Sequence, residues 1–398
     1  MARFLIVVFP LASHLYAPVA IGQALAGAGH EVAWCGPETD LRPLVGDRAR
    51  IYPTGKRYYR DYPDLGVAGA RKLWTDVVIP ATRFLLAPVD EAVADYRPDV
   101  LVSDQYTLAG ALVACRRDLR WATLATGAME LTPPSWELPG HPEFVAGQLA
   151  RAWQLAGLPG RPPVDLRFSP HLVLALTSTA LTGAAPLPPQ CVCIGPVLGR
   201  RPAEPVGWPA REPGRHQVLV TVGTLAAQHS DEFYRRMLPA LELLADRVQA
   251  VVLAPAEAIP DPPGNITVLD RVPILDVLPR LDAVVCHGGM GTVTESLAHG
   301  VPLVVAPIRA DQPAIARQVA QAGAGIEVSF FSASPAELAT ALTAVLEEPG
   351  YRAAARRVAE DFAAAGGAAA AVEQLAALAA GPDAGPLGCP QSENPSVL

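Results

Sequence analysis

Apolar positions follow two rhythms along this chain. Phe4–Phe9 and Val100–Ser103 are short unbroken apolar runs, the pattern of strands buried on both faces of a parallel sheet. Val19–Gly29 instead carries apolar residues at helical spacing and stops at a glycine. Glu31–Cys35 and Trp121–Ala125 read as further strands, so the first half alternates strand and helix. A second series starts after residue 216. It predicts strands over Gln217–Val222, Ala250–Ala254, Ala283–Cys286 and Val301–Ala306. It also predicts helices over Phe233–Arg247, Ala310–Gly323 and Pro335–Glu347, the last capped by Ser334. Repeated βα units of this kind imply doubly wound α/β sheets.

The rhythm breaks in four places. Segments 52–75 and 129–170 are rich in aromatic, charged and proline residues and read as irregular insertions that shape a pocket at strand ends. Residues 199–216 hold repeated prolines and alternating charge without apolar periodicity, as a linker does. A further Ala-rich helix precedes residues 381–398, which read as a flexible tail. The predicted organisation is two Rossmann-like domains, 1–198 and 217–380, with the ligand site in the cleft between them.

Composition narrows the class. At 398 residues, 51% hydrophobic and 18% charged, the chain can bury two sizeable cores. A net charge of −8 with no basic block excludes nucleic acid as a partner. The six cysteines lack both C-x-x-C spacing and the density of a disulfide framework. Cys191 and Cys193 read as small, partly buried side chains on one strand rather than metal ligands. No run of eighteen uncharged apolar residues occurs, and the first apolar run is too short for a signal sequence. The expectation is a cytoplasmic protein without a membrane span.

The loop after the first strand, Pro10 to Pro18, has no glycine before Gly22, so it cannot close on a pyrophosphate as a dinucleotide fingerprint does. It can hold a side chain at the strand's carboxyl edge, and His14 is that side chain. In the second half, Cys286-His287-Gly288-Gly289-Met290-Gly291-Thr292 follows a strand and opens a helix that runs through Glu295. Bare backbone N–H groups and the positive end of a helix suit a phosphate there, although the turn alone also reads as an ordinary tight connection. Asp311-Gln312, Arg271-Val272 and Gly223-Thr224 fall at other predicted strand ends, where ligands of open α/β sheets bind. Asp311 and Gln312 alone also read as a helix cap.

Together these segments resemble the family 1 glycosyltransferases of GT-B fold, and most of all the bacterial branch that decorates macrolides, polyketides and enediynes. Arg271 to Gln312 carries the most specific part of the likeness, and the likeness extends over nearly the whole chain. It implies an α/β fold of two Rossmann-like domains facing each other across a cleft, the first binding the acceptor and the second the nucleotide sugar. His14 would be the catalytic base and Asp104 its supporting carboxylate. His287 and the backbone of Gly289, Met290, Gly291 and Thr292 would bind the diphosphate, with Gly223 and Thr224 approaching it. Glu295 would take the ribose hydroxyls, Arg271 and Val272 would border the base, and Asp311 and Gln312 would hold the sugar. Arg271 stands where plant members have a tryptophan, as is usual in bacterial members.

The implied reaction is inverting transfer of a deoxysugar from a dTDP- or UDP-linked donor to a hydroxyl of a small hydrophobic acceptor. Met129, Glu130 and Trp136 are the acceptor-side candidates. No metal or other cofactor is expected, in line with the lack of a D-x-D carboxylate pair; a homodimer is left open. Two other readings stay open: a catalytically silent partner that activates a true transferase, and a nucleotide-sugar epimerase of the same fold.

Overall fold

The computed structural model describes residues 1–9, 11, 14–55, 66–127, 131, 140–184, 187–199, 201, 206–223 and 227–381. The described strands build two sheets. The first contains β1 (Arg3–Val7), β2 (Glu31–Gly36), β3 (Arg50–Pro53), β4 (Val100–Asp104), β5 (Trp121–Ala125), β6 (Leu172–Ala175) and β7 (Cys191–Cys193). The second contains β8 (His216–Thr221), β9 (Val248–Leu253), β10 (Ile266–Leu269), β11 (Ala283–Cys286), β12 (Leu303–Val305) and β13 (Gly325–Glu327).

The strand orders are β3-β2-β1-β4-β5-β6-β7 and β10-β9-β8-β11-β12-β13, and every neighbouring pair is parallel. Each sheet therefore starts in its middle, runs to one edge, and crosses over to build the other half. At that crossover β1 lies beside β4 with Val7 opposite Ser103, and β8 lies beside β11 with Thr221 opposite Cys286. Connections leave these paired strands toward opposite faces, which opens a crevice at their carboxyl ends. The central strands β4 and β5 are buried at every position, as the unbroken apolar runs require.

The predicted strands all form, within one or two residues at most ends. Pro335–Glu347 is the helix expected, and Ser334 and Glu337 complete a reciprocal capping box. The sequence reading did not assign β3, β6 or β13, and gave β10 only as a strand end before Arg271; all four are four residues long or fewer. The helix expected over Phe233–Arg247 runs over Ala227–Glu242, because its first turn is polar and carries no periodic signal.

The irregular insertions need correcting. Residues 66–72 are helical and continue through a π-helical turn, Leu73–Val78, into the helix Ile79–Tyr96. His141–Leu155 is also a helix. Trp74 and Trp153 lie in the first core, where the Trp153 indole donates to the Pro159 carbonyl at 2.9 Å, so neither reaches an acceptor.

The two units exchange elements. Leu181, from the short helix Thr179–Thr182, packs into the core of the second sheet with Leu219, Ile315 and Phe362. In return the helix Gly367–Ala380, which the sequence reading placed with the second unit, buries Ala371 and Leu375 among Phe4, Ile21 and Leu172 of the first. Arg120 caps its end by donating to the carbonyls of Leu378 and Gly381 at 2.9 and 2.7 Å. Pro349–Ala380 as one stretch has the length and apolarity of a membrane span. It is instead two helices, parted by Gly366 and Gly367 at φ 84° and 54°, that serve the two cores in turn. Ala-rich periodicity marks a helix but not the core it enters, and this explains the misplacement.

Candidate active site at the two sheet crossovers

His14 leaves β1 through a loop in which its backbone N–H donates to the Leu11 carbonyl at 2.9 Å. The ring stands edge-on to Phe9, with centroids 5.3 Å apart. Asp104 is the last residue of the neighbouring strand β4, and its Oδ2 lies 2.9 Å from His14 Nδ1. The carboxylate is fully buried, whereas the imidazole keeps 19% of its surface. Two further donors hold Asp104: the Tyr106 N–H reaches Oδ1 at 2.9 Å, and the Thr126 hydroxyl reaches Oδ2 at 3.1 Å. A carboxylate only accepts, so Nδ1 carries the shared proton and Nε2 is left as the basic nitrogen. Burial is the strongest influence on this imidazole and lowers its pKa. The charge and hydrogen bond of Asp104, joined by the charge of Asp311, outweigh it and leave the pKa above the usual 6.5. Asp311 belongs to the second unit, so a charge of that unit adds a smaller part to the raised pKa.

The other crevice is built around a second imidazole. His287 follows β11 directly and sits in a slot walled by glycine. A Cβ on Gly223 would stand 2.5 Å from His287 Cε1, and one on Gly289 would stand 2.7 Å from Nε2. Gly223 also adopts φ 73°, which favours glycine on its own account. Burial first, then the charge of Arg309, push the His287 pKa down to about 4, against a smaller opposing influence of the Thr221 backbone. The ring is therefore neutral at pH 7, and its Nδ1 has no hydrogen-bond partner among the described residues.

Beyond Gly289 the helix Met290–Ala298 begins, with Met290 and Thr292 half-buried and Gly291 exposed in its first turn. Its unpaired N–H groups and roughly half a positive charge face the same crevice. Glu295, one turn further, is buried and ion-paired to Arg201 of the connecting segment.

The loop after β12 carries the remaining polar candidates. Gln312 opens the helix Gln312–Gln321, and its Oε1 accepts from the N–H groups of Ile308 and Arg309 at 2.9 and 3.0 Å. That fixes the amide and leaves its NH2 as the group to offer a ligand. Asp311, half-buried, follows Ala310 at φ 55°. Arg271 and Val272 follow β10, the first exposed and the second half-buried.

The structure thus brings together His14 with Asp104, and Gly223 with His287 and Gly289. Thr224, Met129, Glu130 and Trp136 lie outside the described residues. Sequence reasoning missed Thr126, Arg309 and Arg201. Thr126 directly follows β5, the strand beside β4, so the strand-end rule that singled out Gly223, Arg271 and Asp311 could have found it. Arg309 and Arg201 gave no signal, because an arginine in a loop is ordinarily solvated.

A model of the erythromycin biosynthesis protein CIII-like C-terminal domain matches residues 241–378. The elloramycin glycosyltransferase ElmGT of Streptomyces olivaceus is 30% identical over 394 residues, covering 90% of this chain and 93% of that protein. The chain belongs to the GT-B natural-product glycosyltransferases. The 4'-demethylrebeccamycin synthase of Lentzea aerocolonigenes, 28% identical, spans 95% of this chain and 99% of its own length. Among solved structures, the spinosyn rhamnosyltransferase SpnG complexed with thymidine diphosphate superposes with a TM-score of 0.73 at 25% identity, covering 94% of this chain and all of that one. The protein is a glycosyltransferase of the natural-product type that takes its sugar from a nucleotide sugar.

Proposed function

We propose that this glycosyltransferase moves a deoxysugar from a dTDP- or UDP-linked donor to a hydroxyl of a hydrophobic polyketide or enediyne aglycone, inverting the anomeric carbon without a metal ion. The observation that carries this reading is the His14–Asp104 pair, held at 2.9 Å and under the influence of Asp311 from the opposite unit. That arrangement supports reading His14 as the base that serves the acceptor beside the donor site.

An acceptor hydroxyl is a poor nucleophile near neutral pH. Nε2 of His14 takes its proton as the oxygen attacks the anomeric carbon, and Asp104 stabilises the imidazolium that results. The bond from the anomeric carbon to the β-phosphate oxygen breaks in the same displacement, so the configuration inverts. Negative charge grows on the departing diphosphate. The helix N-terminus at Met290 and the neutral, hydrogen-bonding His287 lie ready for it, which assigns to protein groups the task a metal ion performs elsewhere. Glu295 takes the ribose hydroxyls, Asp311 and the Gln312 NH2 the sugar, and Arg271 with Val272 the edge of the base. The thymidine diphosphate bound in SpnG supports the dTDP choice.

Product stereochemistry tests the proposal. With an α-linked donor and EDTA present, NMR of the glycoside should show a β-linkage formed at an undiminished rate. Retention of configuration, or a strict need for Mg²⁺ or Mn²⁺, overturns it.

A further inference from the structure

Glu295 is already engaged. Its side chain is only 7% exposed, and Nη2 of Arg201 donates to its Oε1. Arg201 comes from the connecting segment and belongs to neither sheet. Its guanidinium carbon lies 4.2 Å over the ring of Tyr16, the first residue of the helix that follows His14. The connecting segment is pressed onto that same helix at Gly199, where a Cβ would stand 2.9 Å from Ala20 Cβ and 3.3 Å from the Tyr16 carbonyl oxygen. One side chain thus joins the helix that follows the base to the carboxylate read as the ribose ligand.

A nearly buried carboxylate needs a partner to stay in place. A planar guanidinium can stack on an aromatic ring while donating in its own plane, which an ammonium cannot do. The pairing occupies Oε1, and among the described residues no donor reaches Oε2, so a carboxylate oxygen remains for a hydroxyl donor.

We propose that Arg201 is a positioning residue for the donor. It fixes Glu295 as the acceptor for the ribose hydroxyls and locks that carboxylate to the helix that begins behind His14. Donor recognition and placement of the base are then set by one contact across the connecting segment. This rests on the reading of Glu295 as the ribose ligand.

Calorimetry on the full chain tests it with two probes: whichever of thymidine and uridine diphosphate binds the wild type more tightly, and the analogue of that nucleotide lacking the ring hydroxyls. Arg201→Ala should weaken the parent nucleotide by about 10- to 100-fold, the range for a lost hydrogen bond to a charged group. It should leave the dideoxy analogue bound as in the wild type. Arg201→Lys, which keeps the charge but not the stacked fork, should restore part of the loss. Unchanged or tighter binding of the parent nucleotide to Arg201→Ala overturns the proposal, the tighter result marking the arginine as a competitor of the donor. Equal weakening of both probes also overturns it, by reducing the contact to a structural tie. If Glu295→Ala binds the parent nucleotide normally, the ribose assignment itself fails, an outcome separate from any failure at Arg201.

Discussion

His14 and His287 leave the carboxyl ends of two central strands, at matching crossovers of two similar sheets, yet the protein treats them in opposite ways. His14 has a buried carboxylate at 2.9 Å, and its pKa rises despite burial. His287 has glycine walls, the charge of Arg309 nearby and no carboxylate partner among the described residues, and its pKa falls to about 4. One imidazole is set up to gain a proton near neutral pH. The other is kept neutral and can only share hydrogen bonds. Burial alone drives both in the same direction, so what separates them is the sign of the neighbouring charge.

The sharpest way to break this contrast is at the base. His14→Ala should lower kcat by roughly 10²–10⁴-fold, because proton removal from the acceptor then falls to water. Near-normal turnover in that variant leaves His14 without the role assigned here.

The glycine walls come next. Gly223→Ala and Gly289→Ala each set a methyl against the His287 ring, and overpacking of about 1–3 kcal/mol converts to a loss of roughly 5- to 150-fold in donor affinity. Wild-type affinity in both variants, measured by calorimetry, shows that the slot does not position a donor ligand.

Asp104→Asn should sharpen the picture through pH. The base must be neutral to act, so the wild-type kcat/KM should rise with pH along a limb whose midpoint lies above 6.5. Removing the Asp104 charge leaves burial to dominate, so the midpoint should move to lower pH while turnover drops by less than in His14→Ala. A limb that stays put or moves upward contradicts the cause given for the raised pKa.

The smallest expected effect is at Thr126, whose hydroxyl donates to the same Asp104 oxygen that His14 meets. Thr126→Val should lower kcat about 2- to 10-fold, the scale of one neutral hydrogen bond of about 0.5–1.5 kcal/mol. A loss as large as that of His14→Ala would move Thr126 from support into the chemistry itself.

The contrast also shows what a sequence can carry. Apolar runs located β1, β4, β8 and β11, and the turns after them offered His14 and His287 at strand ends, because strand burial and βα turns are local properties of the chain; Asp104 and Glu295 entered through the family likeness. The charge states of the two histidines are not local. They depend on burial, on Asp104, 90 residues from His14, with a smaller influence of Asp311, and on Arg309, which drew no attention in a loop. The pairing of Arg201 with Glu295 and the return of Leu375 to the first core are likewise contacts between distant segments. Trp153 shows the converse: a tryptophan in a proline-rich stretch suggests a pocket, yet helical spacing with Val145 and Leu149 turns it into the core.

The central claim is that the two crossovers divide the work, proton transfer at the first and donor binding at the second. The most direct test is nucleoside diphosphate affinity by calorimetry, set beside kcat, in His14→Ala and His287→Ala. The account predicts wild-type affinity with collapsed turnover in His14→Ala, and affinity weakened about 10-fold or more in His287→Ala. Equal loss of affinity in both variants, or undiminished affinity in His287→Ala, would contradict it.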